Sequence, residues 1–385
     1  MSTPKRHLII IQDRETQFDA PLYATIHQQD VFSLELIYST VHSSISHHDL
    51  ELGHAPQWDH ILDNTYDQRT LPSTSPLQIW TLSRQLKARQ PDLVIICGYY
   101  PRSHLLLALL LRLQGQRIGL RSDNTLTHTS FTGWKGPLRR LAVSWIQRLF
   151  DCWHPVGDQA HAYLRQISGT LRPTYRFAYA VDNDWLASNA EQARQGRHQF
   201  LQQQGWPEDA FVVLGIMKWT PREDPLTLIH AFRRLLQHCS RARLVLIGDG
   251  PLQKAVMTAC AALTDVVTCP GYSPYSQLPL WYGRADVFVH PAPHEPWGVS
   301  VNEALACGLP VIAAEGVGAA AELIRPGVNG DVFVNGDVGQ LAAQLLNLSF
   351  CETPQAARAA ACRATADHWH YRHSINRLVQ ALTPC

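Results

Sequence analysis

Two glutamates lie on either side of a predicted helix start in the segment VFVHPAPHEPWGVSVNEALACGLPVIAAEGVG, residues 287–318. Glu295 and Glu303 are eight residues apart, and the intervening Pro296 and Gly298 prevent one helix from carrying both. We therefore place Glu295 on the loop before the helix and Glu303 on its second turn. One carboxylate can accept hydrogen bonds from sugar hydroxyls and the other from ribose hydroxyls, because a vicinal diol satisfies a carboxylate with two bonds.

The predicted helix begins at Gly298, ends near Cys307 and follows the carboxyl end of a buried strand. The backbone N–H groups of Gly298, Val299 and Ser300 have no acceptor inside such a helix and carry partial positive charge, which favours a phosphate group. In open parallel sheets, ligands bind at this edge. The alternative is that both glutamates are ordinary surface charges. The Pro-Trp-Gly sequence between them favours a binding site.

Two basic residues follow another predicted strand, in VVLGIMKWTPREDPLTLIHAF, residues 212–232. Lys218 and Arg222 precede a helix that begins near Pro225. Both could reach a diphosphate held at Gly298, where they would stabilise the charge on a departing diphosphate without a metal ion. The alternative is that both are solvated loop cations.

A third loop, in LVLIGDGPLQKAV (residues 244–256), joins a strand to a helix through Gly248 and Gly250. Glycines there permit a tight turn and a close approach of the backbone to a ligand, although a purely structural turn explains them equally well. No G-x-G-x-x-G follows the first strand, HLIIIQDRE. A nicotinamide or flavin enzyme therefore lacks its main sequence support.

These loops need parallel strands to position them. Continuous apolar runs typical of strands buried on both faces alternate with helical patterns, which predicts an α/β fold with two doubly wound domains. The break lies around 182–207, and 365–382 has the spacing of a closing helix. The predicted strands are His7–Ile11, Leu34–Ser39, Leu93–Cys97, Gly115–Arg121, Phe211–Ile216, Ala242–Ile247, Val266–Pro270, Val287–His290 and Pro310–Ala313.

The composition excludes several other classes. Hydrophobic residues make up 45% and charged residues 17% of the chain, which indicates a globular protein, and a net charge of +1 argues against nucleic-acid binding. The nine cysteines show neither disulfide nor metal-ligand spacing, so we expect reduced thiols and no metal site. The start MSTPKRHLIIIQDRE is too short in apolar residues for a signal peptide, and we expect a cytoplasmic protein.

Taken in order, these elements resemble the retaining family 4 glycosyltransferases of the GT-B fold, also known as glycosyl transferases group 1. The resemblance covers residues 205–348. It rests on MKWTPREDP, VLIGDGPL, CPGY, EPWGVSVNE, EALACGLPVIA and GVNGDVF.

The resemblance implies two Rossmann-like domains with a cleft between them. Residues 1–190, closed by a C-terminal helix at 366–385, would bind the acceptor, and residues 205–365 would bind the nucleotide-sugar donor. It also implies transfer with retention through front-face attack, in which the departing phosphate helps to take the acceptor's proton. The acceptor would be a saccharide or a lipid-linked sugar, with no cofactor required.

The family's site residues transfer onto matching positions. Lys218 stands where the family usually has Arg, and either Arg222 or Glu223 stands where it usually has Lys; we assign Arg222. Glu295 would lie at the donor sugar. We group Glu295, Lys218 and Arg222 as catalytic. Donor binding falls to the ribose ligand Glu303, the phosphate-binding Gly298, Val299 and Ser300, Gly248, and Tyr272, whose loop faces the nucleobase.

The N-terminal half departs from the usual family pattern, since QDRETQFDAPLYATI replaces a Gly-Gly loop. With PQWDHILDNTYDQRTL, LRSDNT and AYAVDND, it resembles a bacterial sub-branch that assembles cell-surface polysaccharides. Asp13, Arg14, Arg121 and Asp123 end predicted strands on the acceptor side, where they would contact the acceptor or be ordinary loop charges.

Three questions remain open on the sequence. The basic, aromatic stretch 131–150 would form either an interior helix, which we favour, or a peripheral membrane contact. A sugar-nucleotide epimerase, a phosphorylase or a non-catalytic binding protein could have the same fold. The donor base, the sugar, the acceptor and the oligomeric state are not specified by these motifs.

Overall fold

A computed structural model describes residues 5–39 and 66–383, and residues 56–65 of the segment PQWDHILDNTYDQRTL lie outside them. The chain forms two α/β units. Unit 1 contains the described residues up to Val181 together with those from Tyr371 onward, and unit 2 contains Asp182–His370. No helix among the described residues is both long enough and apolar enough to span a bilayer.

Unit 1 is built on a sheet of six parallel strands in the order β3-β2-β1-β4-β5-β6. Its strands are β1 (His7–Gln12), β2 (Ser33–Tyr38), β3 (Asp67–Thr70), β4 (Leu93–Cys97), β5 (Ile118–Ser122) and β6 (Cys152–Pro155).

Unit 2 has a second parallel sheet in the order β12-β11-β10-β7-β8-β9. Its strands are β7 (Phe211–Ile216), β8 (Ala242–Ile247), β9 (Val267–Gly271), β10 (Val287–His290), β11 (Val311–Ala314) and β12 (Gly330–Phe333). Counted within each unit, both orders read 3-2-1-4-5-6, the Rossmann order. The prediction of two Rossmann-like domains is confirmed.

Helices connect the strands. In unit 1 they are α1 (Ala20–Gln29), α2 (Pro76–Arg89), α3 (Arg102–Leu113), α4 (Gly136–Arg148), α5 (Asp158–Ser168) and the C-terminal α15 (Tyr371–Leu382). In unit 2 they are α6 (Asn183–Gln195), α7 (Arg197–Gln203), α8 (Pro225–Leu236), α9 (Gln253–Cys260), α10 (Leu278–Arg284), α11 (Val299–Ala306), α12 (Gly318–Leu323), α13 (Val338–Ser349) and α14 (Gln355–Asp367).

All nine predicted strands are present, with shifts of up to three residues at their ends. Three strands were missed, and each lies at the edge of a sheet: β3 (DQRT), β6 (CWHP) and β12 (GDVF). An edge strand pairs on one side only and can remain short and partly polar, so it lacks the continuous apolar run of a central strand.

The core of unit 1 lies on both faces of its sheet. Along β1, Leu8 and Ile10 enter one buried cluster, and Ile9 and Ile11 enter the other, as the alternation of side chains along a strand requires. This explains why the strand HLIIIQ is apolar without interruption.

The C-terminal segment differs from the single predicted helix at 366–385. Helix α14 ends at Asp367 and α15 begins at Tyr371, with a turn between them. The two helices belong to different units, because Trp369 packs on Trp297 in unit 2, at 5.0 Å between ring centroids, whereas Tyr371 joins the core of unit 1. The chain turns where it leaves one unit for the other.

The start of unit 2 also differs from the predicted boundaries of 190 and 205. Helices α6 and α7 both belong to unit 2. Helix α10 approaches α6 at Gly283, where a Cβ atom would collide with the carbonyl oxygen of Ala190. This close contact with α10 fixes α6 to unit 2 rather than to the end of the preceding domain.

Candidate functional site

Strands β7 and β10 are parallel neighbours in the sheet of unit 2. Their carboxyl ends therefore point to the same edge, and the loops that follow them meet there. The first loop carries Lys218 and Arg222 and the second carries Glu295. The structure brings Arg222 into contact with Glu295, 73 positions away in the chain, and the backbone of Lys218 binds Glu223 beside them.

The guanidinium of Arg222 lies between two carboxylates. One terminal nitrogen, Nη1, donates to Glu295, and Nη2 donates to Oε1 of Glu223 at 2.7 Å. The other carboxylate oxygen of Glu223 turns inward and accepts the backbone N–H of Lys218 at 2.7 Å. Of the two candidates for the second basic position, Arg222 is therefore the one whose side chain contacts Glu295.

Glu223, which the sequence analysis named as the alternative to Arg222, lies in the same cluster of charges. It is buried, and this burial raises its pKa to about 7, with the charge of Glu295 adding to the rise and Arg222 opposing it. The only hint in the sequence was a carboxylate placed directly after the basic residue. Its protonation state changes near neutral pH, where a neighbouring ligand can influence it.

Backbone contacts hold the Glu295 loop in place. The N–H of Glu295 donates to the carbonyl of Gly316 at 3.0 Å, and its carbonyl accepts the N–H of Gly318 at 2.9 Å. These bonds form a parallel bridge between Glu295 and Val317, the loop that follows β11. The carboxylate therefore projects from a fixed backbone.

Helix α11 begins directly after Gly298, which has φ 90° and ψ 70°. A Cβ atom here would lie 2.8 Å from Cγ1 of Val317 and 3.1 Å from Nε2 of His290, so the position requires glycine for both conformation and space. Val299 and Ser300 form the first turn and are partly exposed. The first turn thus stands beyond the carboxyl end of β10, as predicted.

His290 ends β10 beneath this turn and was missed from the sequence. It is buried, and the desolvation lowers its pKa to about 4, so the ring is neutral at pH 7. Its Nδ1 atom has no hydrogen-bond partner among the described residues. The ring supports Gly298 by packing.

Glu303 lies on the second turn of α11 and is buried. The hydroxyl of Tyr282, on α10, donates to its Oε2 at 2.8 Å. Burial raises the pKa of Glu303 to about 7, against the lowering effect of the Tyr282 hydrogen bond. The side chain is therefore held in one orientation, and its charge at neutral pH depends on its surroundings.

Steric contacts explain why the two positions after β8, Gly248 and Gly250, are glycines. A Cβ atom on Gly248 would collide with the carbonyl oxygen of Met217, and one on Gly250 would lie 2.8 Å from that of Trp219. The loop packs directly on the backbone that precedes Arg222. The N–H of Gly248 also donates to the carbonyl of Gly271 at 2.9 Å, which ties this loop to the partly exposed Tyr272.

Unit 1 contains a polar cavity of about 360 Å³ at the carboxyl ends of β1, β4 and β5. All four residues predicted for the acceptor side line it: Asp13, Arg14, Arg121 and Asp123. Ser39 donates to Asp13 at 3.2 Å, and the Tyr179 hydroxyl donates to Asp123 at 3.0 Å. The cavity can therefore receive a ligand with several hydroxyl groups.

Arg121 lies in the floor of this cavity. Both terminal nitrogens donate to the buried carboxylate of Asp19, at 2.8 and 2.9 Å, and Nε and Nη2 donate to the carbonyls of Phe177 and Ala178. Its guanidinium also lies 3.9 Å from the centroid of the Phe177 ring. Through these contacts Arg121 stabilises the floor of the cavity.

Among the described residues, no group of three or more His, Cys, Asp or Glu side chains is arranged to hold a metal ion. The positive charge that contacts Glu295 is the guanidinium of Arg222.

Comparison with known proteins identifies a family match for most of unit 2. Residues 196–364 match the family model "Glycosyl transferases group 1". A D-inositol 3-phosphate glycosyltransferase of Streptosporangium roseum is 34% identical over 171 residues, 42% of this chain and 39% of the relative. A GDP-mannose-dependent alpha-(1-6)-phosphatidylinositol monomannoside mannosyltransferase of Mycolicibacterium smegmatis is 27% identical over 279 residues, 70% of this chain and 72% of the relative. The chain thus matches less than half of the first relative's length.

Among solved structures, Anabaena Alr3699/HepE in complex with UDP superimposes with a TM-score of 0.74 at 18% identity, covering 98% of this chain and 99% of that one. This likeness concerns the fold, which is the GT-B class of α/β architecture with two Rossmann-like domains. The family model thus matches residues 196–364, which make up most of unit 2.

Proposed function

We propose that the chain transfers a sugar from a nucleotide-diphosphate sugar to a saccharide or lipid-linked acceptor, with retention of anomeric configuration, as a family 4 enzyme. We place the reaction in the cytoplasm of a bacterium, in the assembly of a cell-surface polysaccharide or glycoconjugate. The observation that carries the proposal is the position of Arg222 between Glu295 and Glu223, at the sheet edge where α11 begins.

The mechanism follows from the charges at this edge. Lys218, Arg222 and the first amides of α11 would bind the diphosphate, and Glu295 would accept hydrogen bonds from the donor sugar. The acceptor hydroxyl attacks the anomeric carbon as the bond to the diphosphate breaks, and the departing phosphate oxygen takes the hydroxyl proton. We propose that no metal is required, because these cations neutralise the leaving group.

Glu223 makes the site responsive to its ligand. A diphosphate brings negative charge next to a carboxyl whose pKa is already about 7, and this favours the protonated form of Glu223. A neutral Glu223 holds Arg222 less strongly. The guanidinium then becomes available to the diphosphate when the donor binds.

The named relatives support a nucleotide-sugar donor without agreeing on its base. The Mycolicibacterium protein is named as GDP-mannose-dependent, whereas the Anabaena structures contain UDP, or UDP with glucose or UDP-glucose. A relative from Erwinia amylovora, named as an amylovoran biosynthesis glycosyltransferase, supports a polysaccharide role. The base and the sugar must therefore be found by screening.

The test is a thermal-shift screen against UDP, GDP, ADP and their common sugars, with Glu303→Ala beside the wild type and the exposed Glu208→Ala as a matched control. A ligand at ~100 times its dissociation constant adds about 2.7 kcal/mol of stability, which gives a clear shift. We expect one nucleotide to shift the wild type and Glu208→Ala, and to shift Glu303→Ala much less. No shift with any nucleotide would contradict the proposal.

Product analysis separates the remaining alternatives. NMR of the product with the identified donor should show a new glycosidic bond with the anomeric configuration of the donor. An isomerised nucleotide sugar formed without an acceptor would instead identify an epimerase. Donor binding without any turnover across a panel of acceptors would favour a non-catalytic binding protein.

A further inference from the structure

Helix α4 exposes a stripe of large apolar side chains. Trp134, just before the helix, is 87% exposed, and Leu138, Leu141 and Trp145 are 70%, 55% and 61% exposed. Their spacing of four, three and four residues places them within about 60° of one another around the helix axis, at 3.6 residues per turn. The expectation of an interior helix was wrong for this face.

The opposite face of α4 attaches the helix to unit 1. Val143 and Gln147 are buried, and the hydroxyl of Ser144 donates to the carbonyl of Ser168 at the end of α5. The helix is therefore anchored along one side. The stripe on its other side faces solvent even though the helix is firmly packed against unit 1.

Basic side chains lie on and beside this helix. Residues 124–150 contain Lys135, Arg139, Arg140 and Arg148 and no Asp or Glu. At 3.6 residues per turn, Lys135 and Arg148 lie nearest the stripe, whereas Arg140 lies on the side of Val143 and Gln147. Lys135 lies 4.7 Å from the centroid of the Trp134 ring, and the Arg148 guanidinium lies 5.6 Å from that of Trp145. The net charge of the whole chain is only +1, so this positive charge is a local feature.

We propose that α4 and the preceding Trp134 dock on the surface of a bilayer that contains anionic lipids. Indole rings prefer the boundary between headgroups and acyl chains, leucines partition just below it, and basic residues bind anionic headgroups. A helix with Trp and Leu on its outer face, and with cations but no carboxylates beside them, matches that environment in both polarity and charge.

The stripe is close in sequence to the cavity of unit 1. Ser122, Asp123 and Asn124 line the cavity, and the chain runs from Asn124 directly into the loop that carries Trp134. Docking would hold this unit at the membrane surface, where lipid-linked molecules are available. The inference goes beyond the proposed function and does not depend on it, since the surface consists of residues outside the donor site.

The test is flotation of the full chain with vesicles of phosphatidylcholine alone or with about 30% phosphatidylglycerol. We expect binding to the anionic vesicles that weakens with salt and is far weaker on neutral ones. Trp134→Ser/Trp145→Ser and Lys135→Glu/Arg139→Glu should each lower the partition coefficient at least about tenfold. All four side chains are exposed, so the melting temperature should stay close to that of the wild type.

Helix α2 provides the matched control, because Trp80 is 48% exposed there and has Arg84 at 5.5 Å from its ring centroid. Trp80→Ser and Arg84→Glu should bind vesicles as the wild type does. Equal loss in these controls, or wild-type binding by the α4 variants, would overturn the proposal. So would a dimer that the α4 tryptophan variant converts to monomer in light scattering.

Nucleotide shifts measured on the same variants keep the two proposals apart. The α4 variants should respond to the donor nucleotide as the wild type does. A wild type that fails to bind vesicles but responds to a nucleotide would overturn only the membrane proposal, and the reverse result would overturn only the proposed function.

Discussion

Arg222 and Glu295 form an ion pair although 73 positions separate them in the chain. Each lies in the loop that follows one of two adjacent parallel strands, β7 and β10, so the pair depends on the register of the sheet. The pair also keeps a cation close to the carboxylate that we assign to the donor sugar. Its two partners can therefore be tested together.

Replacing Arg222 with Ala should lower kcat/KM by about 10²–10³, because one stabilising donor to the leaving diphosphate is lost. Arg222→Lys keeps the charge without the two-pronged geometry and should lose less. The exposed Lys254→Ala, on α9, serves as the control. Initial rates with the identified donor provide the measurement, and unchanged rates in Arg222→Ala would contradict the assignment.

The raised pKa of Glu303 predicts a loss of stability with rising pH. Between the ordinary pKa of 4.5 and the value of about 7 in the folded chain, the folded state holds one proton that the unfolded state has released. Stability therefore falls as pH rises through this window, by up to about 3 kcal/mol.

Glu303→Gln should remove most of this pH dependence and be more stable than the wild type above pH 7, with similar stability at pH 4.5. Urea unfolding of unit 2 followed from pH 4.5 to 8 measures the slope. The exposed Glu208→Gln should leave the slope unchanged, and adding Glu223→Gln to Glu303→Gln should remove a further fall in stability towards pH 7. Parallel curves for wild type and Glu303→Gln would show that burial does not shift this group.

Gly248→Ala should destabilise unit 2 by about 3 kcal/mol or more, since the new methyl group meets the Met217 carbonyl and the backbone is at φ 149°. Gly336 provides a control with φ 74° and open space around it, where alanine should cost only about 1 kcal/mol. Denaturant midpoints for both variants give the comparison. Equal costs would mean that the loop after β8 can move away from Met217.

Asp19→Ala should destabilise unit 1 by about 3–5 kcal/mol, because it leaves the buried Arg121 guanidinium without its counter-charge. The pair Arg176–Asp158 lies at the surface, and Asp158→Ala should cost no more than about 1 kcal/mol. Unfolding free energies measure both. A small effect for Asp19→Ala would show that water or Asp123 replaces the lost carboxylate.

Central strands and the convergence of loops could be predicted from the sequence. Leu93–Cys97 is buried on both faces and is apolar throughout, so its pattern alone identifies it. Among the described strands, Asp67–Thr70 pairs only with β2, and nothing in DQRT distinguishes such an edge strand from a loop. The meeting of the Lys218–Arg222 loop and the Gly298 loop at one sheet edge was expected, because parallel strands deliver their loops to the same edge, but the direct Arg222–Glu295 contact was not.

Other features depend on the burial that the fold creates. The inward turn of the Glu223 carboxylate depends on the backbone N–H of Lys218 that it accepts, and its raised pKa arises only once the loop is covered. The spacing of Leu138, Leu141 and Trp145 is helical whichever way the face points, so periodicity cannot tell an interior stripe from an exposed one. The close approach of Met217 to Gly248 is likewise a contact between separate loops.

Helix α15 has a consequence for the order of events during synthesis. Tyr371, Ile375 and Leu378 complete the cluster around Leu22 and Ile26, whereas every residue of unit 2 precedes them in the chain. On the ribosome, unit 2 can therefore finish folding first. Most of unit 1 is synthesised earlier, but part of its core remains uncovered until α15 emerges. Chaperones that act on this nascent chain would be expected to recognise the uncovered surface around α1.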